Sequence, residues 1–268
     1  MASLTRNGFR EAFTIRFFAT IAIVGLAGGV SGQLRVQNSA FRSNFDVFST
    51  MMSSPLVIVF PLAVVLVSCI PTYHEVGHRF IANVRARVDV QRYVRSKLAT
   101  AVILAFCSSF VFILFSFALA YWVWPMLGNP GVLPAVYGMT SSQASADALT
   151  STSYSSLLAW GPFVYAIAYS AWVGLGGAVF AGLGVAALLL MENRVLAISL
   201  PFLAYLVQTI AMSLMGSPQL GVMYSLFPFG LTQQPLFVSA APLIIFAVAT
   251  LAIWVWVMPR LHEAEKLS

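Results

Sequence analysis

Charge is scarce in this 268-residue chain: Asp, Glu, Lys and Arg together make up only 8% of it. An ordinary soluble domain carries about 25%. So few ionic groups cannot solvate the surface of a globule this size, and a soluble fold is excluded. Cysteine is nearly absent too. Cys69 and Cys107 both fall inside apolar runs, which leaves no disulfide framework and no cysteine-based metal centre. Lysine occurs only at Lys97 and Lys266, neither in the Gly-x-x-x-x-Gly-Lys spacing that cradles nucleotide phosphates. The chain therefore has no ATP-hydrolysing P-loop of its own. Ionisable residues are almost missing from the apolar runs, which argues against an ion-coupled carrier, whose path needs them.

What is present is hydrophobic length. The chain is 60% hydrophobic with a mean hydropathy of +0.89. Six runs approach the roughly 20 apolar residues that a helix needs to cross the hydrocarbon core. They lie at about 15–32, 52–72, 99–124, 160–190, 196–215 and 237–258. The expected fold class is an all-α polytopic membrane protein, a single transmembrane domain over 1–268. In "MASLTRNGFREAFTIRFF" phenylalanines alternate with arginines, which predicts an amphipathic interface helix over residues 1–14. A cleaved leader is the rival expectation for "FFATIAIVGLAGGVSG", with its basic flank and small residues. The fourth run is long and contains Gly174, Gly176, Gly177, Gly182 and Gly184, which suggests tight packing against a neighbour or a bend. It is taken as one helix.

The net charge of +6 reads as a topology signal rather than a nucleic-acid footprint. With the N-terminus inside, twelve of the fourteen Lys and Arg residues fall on the cytoplasmic side and only Arg35 and Arg42 outside. Both termini are then cytoplasmic, in a plasma membrane, expected to be bacterial. An outer loop over 125–156 has no Lys or Arg and is flanked by Tyr121, Trp122, Trp124 and Trp160, as at a membrane interface. A second outer stretch, 216–236, is apolar but broken by Gly216, Pro218, Pro228 and Gly230, which suggests a re-entrant or surface element.

One motif points elsewhere. "HEVGH", His74–His78, places two imidazoles four residues apart with a Glu between them, the helical arrangement of a zinc metalloprotease. The stretch resembles the signature of site-two intramembrane proteases, which implies a third ligand on a later span. The acidic residue available between Asp89 and Glu192 is Asp147, in the expected outer loop. Glu192 and His262 would be improvised ligands, so the metal site, His74 with His78, stays one ligand short. The same residues also fit a short amphipathic helix. Val76, Phe80, Val84 and Val88 share an apolar stripe, Glu75 precedes Arg79 by four, and Pro71 suggests a break from the preceding span.

"HEVGHRFIANVRARVDVQRYVRSKLATAVILAF" resembles the cytoplasmic loop of ABC type-2 exporter permeases. The turn within "AALLLMENRVLAISLPFLAYL" and the broken segment before the last span are similar to the same family. The resemblance implies a coupling loop over 73–97 in which Glu75, Gly77, Arg79, Phe80, Val84, Arg85, Arg87, Tyr93 and Lys97 meet an ATPase. It also implies the partners: an ABC ATPase dimer supplying ATP and Mg, a second permease half (a copy or a related chain) and membrane lipid, without nucleic acid. The chain itself would hold no cofactor and no catalytic residue. In the family, spans two and five border the substrate path. That places Tyr205, Gln208, Thr209 and Ser213 as path candidates, although interhelical hydrogen bonds explain such residues equally simply. A mostly apolar path suits a lipid, an amphipathic peptide or a hydrophobic drug. Intramembrane zinc proteolysis and a non-transporting assembly subunit are the alternatives.

Overall fold

A computed structural model describes residues 40–53, 55–77 and 90–266, and every regular element among them is helical. The expected interface helix, the first span and positions 78–89 of the expected coupling loop lie outside the described residues. In chain order the elements are α1 (Asn44–Met52), α2 (Leu56–Gly77), α3 (Val90–Ala118), α4 (Ser141–Ala148), α5 (Pro162–Leu190), α6 (Arg194–Leu214), α7 (Val222–Leu226) and α8 (Leu236–Lys266). A π turn, Leu119–Val123, carries α3 on to Met126.

Among the described residues four helices are long and apolar enough to cross a membrane. These are the Val90–Met126 run, α5, α6 and α8 as far as Arg260. A fifth appears if α1 and α2, whose axes meet at 66°, count as one broken span. Their outward faces are those of a membrane protein. Val207, Ile210, Ile245, Val248, Leu251 and Val255 are each more than half exposed, a surface that lipid accommodates and water does not.

The helices form one bundle with two distinct ends. At the loop end sit residues 127–161 and 215–235. At the turn end sit the end of α2, the start of α3 and the three residues between α5 and α6. Serines and threonines within the helices return their hydroxyls to the preceding turn, as Ser68 does to Val64 O at 2.7 Å and Ser116 to Phe112 O at 2.9 Å. That satisfies these two donors in an apolar setting, whereas the buried hydroxyls of Ser109 and Ser170 have no such partner.

α5 is the central helix and runs unbroken for 29 residues, begun by Pro162 behind Gly161 at φ +109°. Its glycines face different neighbours, which is why there are so many. A Cβ on Gly174 would lie 3.0 Å from the Phe106 ring, and one on Gly177 would lie 3.0 Å from Ala105 O, both on α3. One on Gly184 would lie 3.0 Å from Val65 of α2. Gly182 faces α8, where Trp254 Nε1 donates to its carbonyl at 3.0 Å. Small residues let the backbones approach, and dispersion between close-packed helices is the main attraction in lipid.

One expectation needs correction. Pro71 does not break the chain: α2 passes through both Pro61 and Pro71 to Gly77. A proline inside a helix forfeits one backbone bond, a loss that membrane helices tolerate. Of the expected 73–97 coupling loop, 73–77 end α2 and 90–97 begin α3. The expected 125–156 outer loop carries structure of its own. It holds a 3-10 turn at Pro134–Tyr137 and α4, whose start is fixed by reciprocal bonds between Thr140 and Gln143.

α1 was not visible in the sequence pattern. It buries Phe45, Val47, Phe48, Met51 and Met52, with the Phe48 ring 5.2 Å from Phe117 and 6.0 Å from Tyr169.

Candidate functional site

Between α6 and α8 the chain folds back into the bundle. α6 ends at Leu214, and Gly216 just beyond it has a φ of +74°, which glycine adopts without strain. A 3-10 turn at Pro218–Leu220 and α7 follow, and Gly230 at φ +83° turns the chain out again. The tip, Leu226, is fully buried with its methyls against Gly176. Gly176 is the fifteenth of the 29 residues of α5, so the segment descends about 20 Å along that helix, roughly half its length.

Irregular backbone at that depth needs partners for its N–H and C=O groups. They come from side chains of the surrounding elements. On α6, Gln208 Nε2 donates to Leu220 O at 2.8 Å while its Oε1 accepts from Val222 N at 2.7 Å. Thr209 Oγ1 accepts from Met223 N at 3.3 Å. On α5, Tyr169 OH donates to Leu226 O at 2.7 Å and Trp172 Nε1 to Ser225 O at 2.9 Å. From the loop end, Tyr154 OH donates to Ser225 O at 2.9 Å, and Ser153 Oγ accepts from Gln234 N at 3.2 Å. Aromatic contacts complete the cradle. Phe227 lies 5.2 Å from Phe60, and Phe229 lies 5.7 Å from Phe48.

The four path candidates of the sequence are brought together on α6. Tyr205 is buried and donates to Val57 O of α2 at 2.9 Å. Gln208 and Thr209 hold the folded-back segment, and Ser213 Oγ donates to Thr209 O at 2.9 Å. Each is engaged in a hydrogen bond within the fold. Tyr154, Tyr169 and Trp172, which sequence reasoning did not single out, share that work. Their signal was only that of aromatic residues in an apolar run.

A second polar cluster lies at the loop end. Arg42 Nε donates to Asp46 Oδ2 at 2.9 Å, and its Nη1 donates to Asp147 Oδ2. The hydrogen bond with Asp46 raises the Arg42 pKa above its ordinary value, and both carboxylates add to that. The pairing is made possible by a short bridge that brings 40–46 against the loop, with Phe41 N donating to Gly131 O at 2.7 Å and Leu133 N to Phe41 O at 2.9 Å. Tyr137 OH adds a bond to Ala40 O at 2.7 Å. Two open cavities flank Arg42. One, of about 630 Å³, is lined by Tyr121, Ser145 and Leu158 among others. The other, of about 480 Å³, is lined by Asp46, Thr152, Phe229 and Gln233 among others.

Of the coupling candidates, Tyr93 and Lys97 are described. They occupy the first two turns of α3, with Lys97 Nζ 5.6 Å above the Tyr93 ring. His78, Arg79, Phe80, Val84, Arg85 and Arg87 lie outside the described residues. For His74, Glu75 and Gly77 the backbone alone is placed, on the last turn of α2. Among the described residues no three His, Cys, Asp or Glu side chains converge on a point that could hold a metal.

Comparisons with protein-family models, with curated proteins and with solved structures each return no match to this chain.

Proposed function

We propose that this protein is the transmembrane permease subunit of an ATP-driven exporter of the ABC type-2 kind, moving a hydrophobic or amphipathic substrate with energy from a separate ATPase. The observation that carries the reading is the opposition of the two bundle ends. At the turn end, α2 stops at Gly77 and α3 starts at Val90, and the sequence from Arg79 to Lys97 carries six Lys and Arg residues. At the loop end, the chain folds back to mid-height between the last two helices, the place where the resembling family has a broken segment.

Charge supports the same orientation. Arg42 is the lone Lys or Arg at the loop end among the described residues, and Asp46 and Asp147 neutralise it. Arg92, Arg95, Lys97, Arg194 and Arg260 all belong to the turn end, the side that the positive-inside rule makes cytoplasmic. Six spans with both termini inside, a basic amphipathic helix around Val76 to Val88 and the loop end outside complete the proposed topology. In this arrangement ATPase closure reaches the bundle as rigid-body motion through α2 and α3. The folded-back segment closes the outer end of the path.

The test is partner capture. The full chain, purified from its native membrane without crosslinking, brings an ABC ATPase with it and shows ATP turnover. Phe80→Ala removes the largest side chain of the apolar stripe, and an interface anchor of this kind is worth about 2 kcal/mol, or some 30-fold in affinity. That variant inserts normally and loses the partner. A normally inserted Phe80→Ala protein that keeps full partner binding and turnover refutes the coupling role. Purification with no ATPase at all refutes the exporter.

A further inference from the structure

The cations of the turn end are concentrated where two helix ends meet. Arg92, Arg95 and Lys97 fall in the first two turns of α3, and Arg260 closes the apolar length of α8. Gln91 Nε2 donates to Met258 O at 3.1 Å, which fixes the start of α3 against the end of α8. Beyond this junction the charge stops. From Leu98 to Ala146, and again from Val195 to Pro259, the sequence has no Asp, Glu, Lys or Arg. The arginines therefore stand at the edge of the hydrocarbon.

Arg92, Arg95 and Arg260 are exposed, and none forms an ion pair with a described carboxylate. The Arg260 guanidinium instead lies 3.4 Å from the centre of the Trp256 ring, which is itself half exposed. Stacking of this kind holds the guanidinium plane while leaving its N–H donors at the edge, free for an oxyanion. An indole in this position is also what a membrane interface favours. Next to the cations lies apolar surface: Ile103 of α3 and Leu251 and Val255 of α8 are exposed.

Arg92, Arg95 and Arg260, without a carboxylate partner among the described residues, repel one another, and an anion that brings its own apolar tails matches both halves of the surface. We propose that the junction of α3 and α8 binds the headgroup of an anionic phospholipid. The phosphodiester is held by Arg92, Arg95 and Arg260, and the acyl chains lie along the adjoining helix faces. A free phosphate would use the arginines but not the apolar flank, so the lipid is the occupant. The inference rests on the membrane assignment and not on the exporter reading.

The test uses the full chain in detergent, titrated with a phosphatidylglycerol or with a phosphatidylcholine of the same acyl chains. Bound lipid is counted by native mass spectrometry. Each arginine near an anionic headgroup is worth about fivefold in affinity, so Arg92→Gln with Arg95→Gln and Arg260→Gln weakens phosphatidylglycerol binding by about 100-fold. Replacing the same three by Lys retains most of the binding. Phosphatidylcholine binds weakly to all forms. For the unmodified protein, raising NaCl from about 0.05 to 0.5 M, which shortens the screening length severalfold, removes most of the preference between the lipids. This last measurement decides the matter even if the triple Gln variant does not fold. Equal binding of the two lipids, a preference that salt leaves unchanged, or a folded triple Gln variant with full affinity overturns the site. Displacement of the lipid by millimolar inorganic phosphate shows that a bare anion suffices, and it overturns the lipid assignment.

Discussion

The contact between Leu226 and Gly176 can be tested by changing both residues. A Cβ on Gly176 would lie 2.5 Å from Leu226 Cδ2 and 3.1 Å from Cδ1, and Leu226 is fully buried. Gly176→Ala therefore overfills the site, at a cost of about 1–3 kcal/mol. The same change improves the intrinsic helix preference of α5 by up to about 1 kcal/mol, so the single variant alone is hard to interpret. Leu226→Ala leaves a cavity and costs about 2 kcal/mol. This is the low end of the range for buried leucines, because in lipid the lost packing counts and the transfer from water does not.

In the double variant the new methyl enters the space that the leucine vacated. The helix-preference contribution is common to both backgrounds and cancels in the cycle. The two changes are then expected to be less harmful together than their sum by about 1–2 kcal/mol, a coupling typical of residues in contact. Equilibrium unfolding of the four proteins in mixed micelles, followed by circular dichroism, measures this directly. If the effects add to within about 0.5 kcal/mol, the tip of the folded-back segment does not rest on the middle of α5.

Gln208→Leu removes two hydrogen bonds to that segment, worth about 1 kcal/mol each. Hydrogen–deuterium exchange at the Val222 amide is expected to accelerate by about 30-fold, and unchanged exchange counts against the clamp. Asp147→Asn weakens the tie between Arg42 and α4. With both side chains about one-third exposed, the loss of stability is below about 1 kcal/mol at moderate salt and vanishes near 1 M, so a larger salt-independent loss means a structural role for Asp147. For topology, Ser145→Cys in a background lacking Cys69 and Cys107 is expected to react with an impermeant thiol reagent on intact cells, whereas Ala82→Cys is not. The opposite pattern inverts the proposed orientation.

The helices that cross the bundle could be read from the chain because their signal is one-dimensional. Long apolar runs without charge, such as those of α5 and α8, need no knowledge of neighbours. The crowding of glycines in α5 likewise announced close packing, but not which helix each glycine meets, since that depends on rotation about the axis. α1 escaped notice because nine residues containing Asn44, Asp46 and Ser49 look like a polar connection. Its burial comes from Phe117, Tyr165 and Tyr169, rings remote in sequence. Arg42 and Asp147 were each visible as isolated charges, yet their pairing spans 105 positions and rests on the short bridge at Phe41. Gln208 could be seen as a polar residue on an apolar helix. Its role became clear only once Leu220 and Val222 were found on either side of its amide.

Among the described residues, the side chains outside the folded-back segment that bond to it, from Ser153 through Thr209, precede it in the chain. The two aromatic rings that receive Phe227 and Phe229, Phe60 and Phe48, precede it as well. A nascent polypeptide therefore exposes these hydrogen-bonding and aromatic partners before the ribosome delivers residues 216–235. Nothing made later is required for those bonds. α8 emerges last and comes to rest beside α7 and α5, so biosynthesis itself runs in the order in which the pieces can be seated.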